Sequence, residues 1–243
     1  MALSLNKRDL TKYDLELLID VSGSTANPGA NPRQTRLEEA LKIAQLLVEE
    51  MDAIDDDGIT IGLFDSTLRC VAENTTKANA HEILGLARPG SRTDTAGALQ
   101  SRIDDYFGQR FGSPAVTESR SVRHGLHKQT ETVVVSPAVP ADPTTKPRVI
   151  VIVTDGEPND ETALENVIIQ ATRRLTAEGL GREALGISFI QVGTDAQATT
   201  WLKRLDDGLC PGRGATLDIV NCLTIDDAYE LSTREILEAA LDD

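Results

Sequence analysis

Leu15-Glu16-Leu17-Leu18-Ile19 runs directly into Asp20-Val21-Ser22-Gly23-Ser24. An apolar run of strand length thus ends in one carboxylate and two hydroxyls on alternate residues. A second run, Val149-Ile150-Val151-Ile152-Val153, ends in Thr154-Asp155-Gly156. Its near-continuous β-branched character is that of a central strand buried on both faces. Two apolar strands that both stop at small oxygen donors predict a divalent-cation site at the carboxyl edge of a parallel sheet.

Outward from these runs, strand and helix signals alternate. The first strand is read over Asp14 to Ile19, with a helix from about Thr35 carrying Leu37, Leu41, Ala44, Val48 and Met51 on one face. Ile59 to Phe64 is the next strand. Thr67 to Ala72, joined to it by the tight Asp65-Ser66 link, is its antiparallel neighbour. Helices follow over Lys77 to Ala87 and Asp94 to Phe107. After the strand at Val149, a helix is expected from Asp160 to Ala177, a strand over Leu185 to Val192, a short helix over Thr199 to Leu205 and an edge strand over Leu217 to Val220. Thr224-Ile225-Asp226-Asp227 has the form of a capping box opening one final helix, with Leu231, Leu237 and Leu241 inward. The alternation predicts an α/β fold: a doubly wound, mostly parallel central sheet with one short antiparallel edge strand and helices on both faces. Ligands of such sheets sit at the carboxyl ends of the strands.

One stretch breaks the rhythm. From about Gly108 to Pro147 the chain is polar, then β-branched from Thr130 to Val135, then proline-rich. It also carries Arg110, Arg120, Arg123, Lys128, His124 and His127 in an otherwise acidic chain. It is read as an insertion with a small hairpin around Thr130 to Val135, within a single domain that spans residues 1–243.

Composition narrows the function. The 243 residues hold 24 basic and 39 acidic side chains, a net charge of −15 that repels nucleic-acid backbones and anionic lipid. The three cysteines, Cys70, Cys210 and Cys222, are an odd number without CxxC spacing, as expected of reduced thiols. The first residues carry no apolar run of signal-peptide length, and no run approaches the roughly 20 apolar residues of a membrane span. The expectation is a cytoplasmic protein with no nucleic-acid or membrane partner.

In an extended turn, alternate residues point the same way, so Asp20, Ser22 and Ser24 face one point, with Gly23 allowing a sharp turn between them. Asp155 is the natural second acid, and Ser91-Arg92-Thr93-Asp94-Thr95, opening a helix, lends a hydroxyl. Every donor is a hard oxygen, which favours Mg²⁺, with Mn²⁺ or Ca²⁺ as substitutes, over zinc or copper. Alone, Asp-x-Ser-x-Ser is as readily a plain turn, since Asp and Ser bond their own backbone. Three such segments in order along a parallel sheet decide for the site.

The chain resembles the von Willebrand factor A domains, and the three segments resemble that family's metal-ion-dependent adhesion site. Asp20-Val21-Ser22-Gly23-Ser24 matches its Asp-x-Ser-x-Ser, Thr93 its loop threonine and Asp155 its distal aspartate. The resemblance implies metal ligation by Ser22 and Ser24 directly, by Asp20 and Asp155 directly or through water, and by Thr93 according to conformation. It further implies a Rossmann-like sheet and a non-enzymatic, metal-bridged hold on an Asp or Glu of a partner protein. AAA+ ATPases partner intracellular bacterial relatives, and the last helix, here Asp226 to Leu241, shifts with binding in some members. Two departures stand out: Thr25 replaces a frequent methionine, and Ser91-Arg92 replace a frequent Gly-Gly.

Two other readings compete. Asp20 could serve as nucleophile of a Mg²⁺-dependent hydrolase or phosphotransferase, or the metal could be purely structural in an interaction scaffold. Neither a Walker-type Gly-x-x-x-x-Gly-Lys-Ser/Thr loop nor a Gly-x-Ser-x-Gly elbow is present. His124 and His127 lack acidic or thiol neighbours at ligand spacing and are read as loop residues. Glu157, Asp160 and Glu161 are read as charges at a helix N-terminus.

Overall fold

The computed structural model describes residues 8–55, 57–124, 127–136, 138–156 and 158–242. Glu157 and the N-terminal residues 1–7 considered above lie outside them. The chain divides into two compact units, Met1–Gln100 with Lys146–Asp243, and Ser101–Thr145.

The first unit is built on a six-stranded sheet. Its strands are β1 (Asp14–Asp20), β2 (Ile59–Phe64), β3 (Leu68–Thr75), β6 (Arg148–Thr154), β7 (Leu185–Gln191) and β8 (Val220–Thr224), in the order β3-β2-β1-β6-β7-β8. All pairings are parallel except β2 with the edge strand β3. β1 and β6 lie side by side at the centre, with Leu17 opposite Val151 and Ile19 opposite Val153. Their carboxyl ends, Asp20 and Thr154, therefore emerge together.

The alternation of the strands sets the layers. Leu15, Leu17 and Ile19 of β1 and Val21 just after it, with Val149, Val151 and Val153 of β6, form one core with α1 (Arg36–Met51), α2 (Lys77–Leu84), α6 (Ile225–Glu230) and α7 (Thr233–Asp242). Ala40, Ile43, Ala44, Leu47, Val48 and Met51 give α1 its buried stripe, and Leu41 packs at its margin. Thr35 and Glu38 close a reciprocal capping box at its start. A further pair of helices, α4 (Glu161–Ala177) and α5 (Ala196–Gly212), contact each other, and α5 packs on β7 and β8.

Three expectations shift. The short helix after β7 extends over Ala196–Gly212; its earlier start follows from Asp195, which caps it by accepting the Gln197 and Ala198 N–H groups. β8 is Val220–Thr224: it begins where the predicted edge strand ends, runs four residues further, and is parallel to β7. The final helix is two helices. Ser232 accepts from the Glu235 N–H while Glu235 accepts from Ser232, a second capping box that restarts the helix after Leu231. Leu237 and Leu241 are buried, and Leu231 is half-buried at the break.

The second unit contains the end of α3 (Thr95–Phe111) and an antiparallel hairpin of β4 (Val116–His124) and β5 (His127–Ser136). The hairpin is longer than the Thr130 to Val135 core read from the sequence. Ser113 and Val139 exchange backbone hydrogen bonds of 2.9 Å at its base.

The amino end of the sheet carries a charge cluster around buried Asp55. Asp55 accepts the Leu15 N–H at 3.1 Å and Lys146 Nζ at 3.3 Å, while Lys146 also reaches Asp57 at 2.7 Å. Burial pushes the Asp55 carboxyl up to about 7, helped by a hydrogen bond shared with Asp57. A proton held more tightly in the folded chain than in the unfolded one stabilises below about pH 4, and that contribution is lost as pH rises through 7. In chelator-containing buffer, raising the pH from 4 to 8 should lower stability by roughly 1–2 kcal/mol through this group, less than the full shift implies because its partners Lys146 and Asp57 are partly solvated. The slope should be shallower in Asp55→Asn; superimposable melting curves against pH for the two proteins would rule this out.

Candidate metal centre

At the carboxyl end of β1, Asp20 is buried, and both of its oxygens have protein partners. The Ser22 N–H donates to Oδ1 at 2.8 Å, and Thr154 Oγ1, from the end of β6, donates to Oδ2 at 2.8 Å. The chain then enters a short 3-10 turn, Gly23–Ala26, held by Thr25 Oγ1 donating to the Ser22 carbonyl at 2.7 Å. This turn sets the Ser22 and Ser24 hydroxyls 3.0 Å apart.

Gly23 is needed for close approach. The sharp turn expected there is the 3-10 turn that Gly23 opens, and it forms without a positive φ. A Cβ there would lie 3.2 Å from the Gly90 carbonyl oxygen and 3.3 Å from that of Ser91. The Gly23 N–H donates to the Ser91 carbonyl at 2.7 Å, and the Gly90 N–H donates to that of Val21 at 2.6 Å. These two bonds clip the loop after β1 to the loop that carries Thr93.

Asp65, at the end of β2, fixes the Thr93 loop from the other side. Its buried carboxylate accepts from the Ser91 N–H at 3.0 Å, Ser91 Oγ at 3.2 Å, the Thr67 N–H at 3.3 Å and the Arg69 guanidinium. Burial alone would raise its pKa, but the Ser91, Arg69 and Thr67 donors outweigh it and hold the carboxyl at about 2. Thr93 itself is buried, and its carbonyl accepts from Asn159 Nδ2 at 2.6 Å. Asn159 thereby ties the Thr93 loop to the segment following Asp155.

Asp155 is fully buried. Arg36 Nη1 donates to its Oδ2 at 3.1 Å, while Oδ1 is enclosed with no hydrogen-bond partner. Gly156 follows with φ +91°, and a Cβ there would sit 2.8 Å from that of Ala198. Burial first, then the negative charge of Asp155, pushes Asp20 up to about 6. The two buried carboxylates, at the ends of adjacent central strands, therefore repel one another.

All five predicted residues thus come from three loops at one edge of the sheet, and those loops are joined by backbone hydrogen bonds. Among the described residues no group of three or more His, Cys, Asp or Glu is suited to hold a metal. That agrees with a donor set of only two carboxylates completed by hydroxyls. An orphaned, buried carboxylate oxygen at the same sheet edge as a second buried carboxylate suits a hard divalent cation. Sequence reading missed Arg36, Asp65, Thr154 and Asn159, which hold the predicted residues in place. Asp65 and Thr154 end strands beside the motifs, a signal that pointed to them. Arg36 and Asn159 have no such spacing.

No family model matches the chain, and no curated protein does. Solved structures do. Proximal thread matrix protein 1 from the mussel byssus, in two crystal structures, shares 15% identity over 94% of this chain and 48% of its own, with a TM-score of 0.51. In one of the two, its metal-ion-dependent adhesion motif is occupied by zinc. A von Willebrand factor type A protein from Catenulispora acidiphila is 14% identical over 94% of this chain and 43% of its own, with a TM-score of 0.49. The chain spans about half the length of these solved chains. At such identities the likeness speaks to fold alone. The chain has the von Willebrand factor A fold: a mostly parallel six-stranded sheet with one antiparallel edge strand, flanked by helices.

Proposed function

We propose that this chain is a non-enzymatic protein-binding module that recognises an Asp or Glu of a partner protein through a divalent cation. Asp20, Ser22, Ser24, Thr93 and Asp155 would hold the cation. A bound Mg²⁺ supplies an incompletely ligated positive centre to which a partner carboxylate coordinates. The observation that carries this reading is the enclosed, unpartnered Oδ1 of Asp155 at an edge lined by hydroxyls. The zinc-occupied motif of the mussel thread protein supports a divalent ion at this edge of the fold, and the all-oxygen donors favour Mg²⁺ or Mn²⁺ here. Ser22 and Ser24 contribute neutral oxygens, so the protein's negative charge does not saturate the ion.

The alternative in which Asp20 attacks a phosphoryl group is disfavoured. Its carboxylate is 1% exposed and both oxygens are engaged, by Ser22 and Thr154. Among the described residues no helix is long and apolar enough to cross a membrane. AAA+ ATPases, suggested by the family resemblance, are the first partners to try. Titration calorimetry of the chelator-stripped protein should show one-to-one uptake of Mn²⁺ and Mg²⁺, and capture of an acidic partner should cease in EDTA. Absence of heat at millimolar Mn²⁺ would overturn the site, whereas capture that survives EDTA would leave the metal a structural role.

A further inference from the structure

Arg36 is the first residue of α1, where a positive charge opposes the helix dipole. Nothing about helix formation asks for it there, yet its side chain is only 18% exposed and its Nε is buried without a hydrogen-bond partner. Its surroundings are shaped to take it. Gly193 has φ +78°, and a Cβ there would lie 3.0 Å from Arg36 Nε. The Gly193 N–H is in turn anchored on Glu39 Oε2 at 3.3 Å, and Glu39 Oε1 accepts from Asn31 at 2.7 Å. The guanidinium is thus led along a glycine wall to Asp155, where it takes Oδ2 and leaves Oδ1 free.

From this division of one carboxylate between two claimants we infer that Arg36 is a built-in positioning and charge-tuning residue of the metal centre: it fixes Asp155 through one oxygen, presents the other, and weakens the hold of the site on its cation. The inference rests on the metal-centre reading above. Asp20, Asp155 and Arg36 together carry −1, where the two acids alone would give −2. A divalent cation then leaves the centre at +1, with attraction to spare for an incoming carboxylate. A unit charge hydrogen-bonded to a ligand, screened as groups near a protein surface are, lowers cation affinity by about tenfold or more. The site thereby gives up affinity for its ion in favour of affinity for an acidic partner.

The test is Mn²⁺ titration of the intact chain and two variants, each checked for folding by circular dichroism. Arg36→Gln keeps a donor for Asp155 and removes the charge, so it should bind Mn²⁺ at least about tenfold more tightly. Arg36→Lys keeps the charge and should stay within about threefold of the parent. Uptake seen in Arg36→Gln but absent from the parent would overturn the metal-centre reading of the native chain, and with it a tuning role for Arg36 there. Equal or weaker binding by Arg36→Gln, with uptake by the parent intact, would overturn the tuning role while sparing the site. No uptake by any of the three proteins would overturn the site and this role together.

Discussion

Asp20→Asn is expected to raise the melting temperature of the metal-free protein and, in the same chain, to remove its binding of Mn²⁺. Asp20 is buried, and desolvation and the charge of Asp155 together penalise its ionised form. Asparagine keeps an acceptor for the Ser22 N–H, while its amide donates to a Thr154 hydroxyl turned to accept. The swap therefore removes a costly charge with little loss of hydrogen bonding. A gain of roughly 1–2 kcal/mol follows, which for a chain of this size raises the melting temperature by about 3–6 °C. The same charge is what attracts a cation, so affinity should fall by at least about 100-fold. Melting in EDTA and calorimetry with Mn²⁺ check both halves. A lower melting temperature in EDTA, or retained Mn²⁺ affinity, would contradict the proposed opposition between stability and binding.

The largest loss of stability is expected from Glu16→Leu. Glu16 lies in the middle of β1 and Arg148 at the start of β6, both almost fully buried, with Arg148 Nη1 2.7 Å from Glu16 Oε1. Glu16 lies opposite Ile150 in register, so its side chain and that of Arg148 leave their parallel strands on the same face. Removing the acid takes from a buried guanidinium its partner at 2.7 Å, while Asp14 lies farther off at 3.9 Å. Breaking such a pair from one side costs about 3–5 kcal/mol, or a fall of roughly 10 °C or more in melting temperature. Replacing both partners, as in Glu16→Leu with Arg148→Met, should recover most of that loss, because two apolar residues leave no unpaired charge. Urea unfolding of the single and double variants decides. A double variant as unstable as Glu16→Leu alone would mean that the loss is one of packing and not of charge.

The two central strands were legible because burial on both faces forces apolar runs, unbroken in Val149 to Val153 and interrupted only by Glu16 in Leu15 to Ile19. The antiparallel edge was legible from the two-residue link before Thr67. Ends of elements were harder. The break between α6 and α7 depends on Ser232 and Glu235, whose capping box lies inside an otherwise continuous helical pattern. α5 begins earlier than its apolar residues suggest because Asp195, not a hydrophobic face, starts it. At the site, the residues carried on motifs could be read, since Asp20, Ser22 and Ser24 are neighbours in sequence. Their supports could not be read so easily. Arg36 meets Asp155 across 119 residues of chain, and only the oddity of a cation at a helix start hinted at a partner elsewhere. Asn159 works through the backbone carbonyl of Thr93, a partner that no side-chain pattern records.

The seam between the first and second loops is made wholly of main-chain atoms: Gly23 with Ser91, and Gly90 with Val21. Such a seam is blind to which side chains flank it, so long as positions 23 and 90 stay bare, position 90 because any substituent would collide with Asp65 and Arg69. Ser91 and Arg92 can accordingly replace the glycines frequent there without unpicking it. The rim of the cleft is free to drift in character, and with it the choice of guest, while the stitching beneath stays the same.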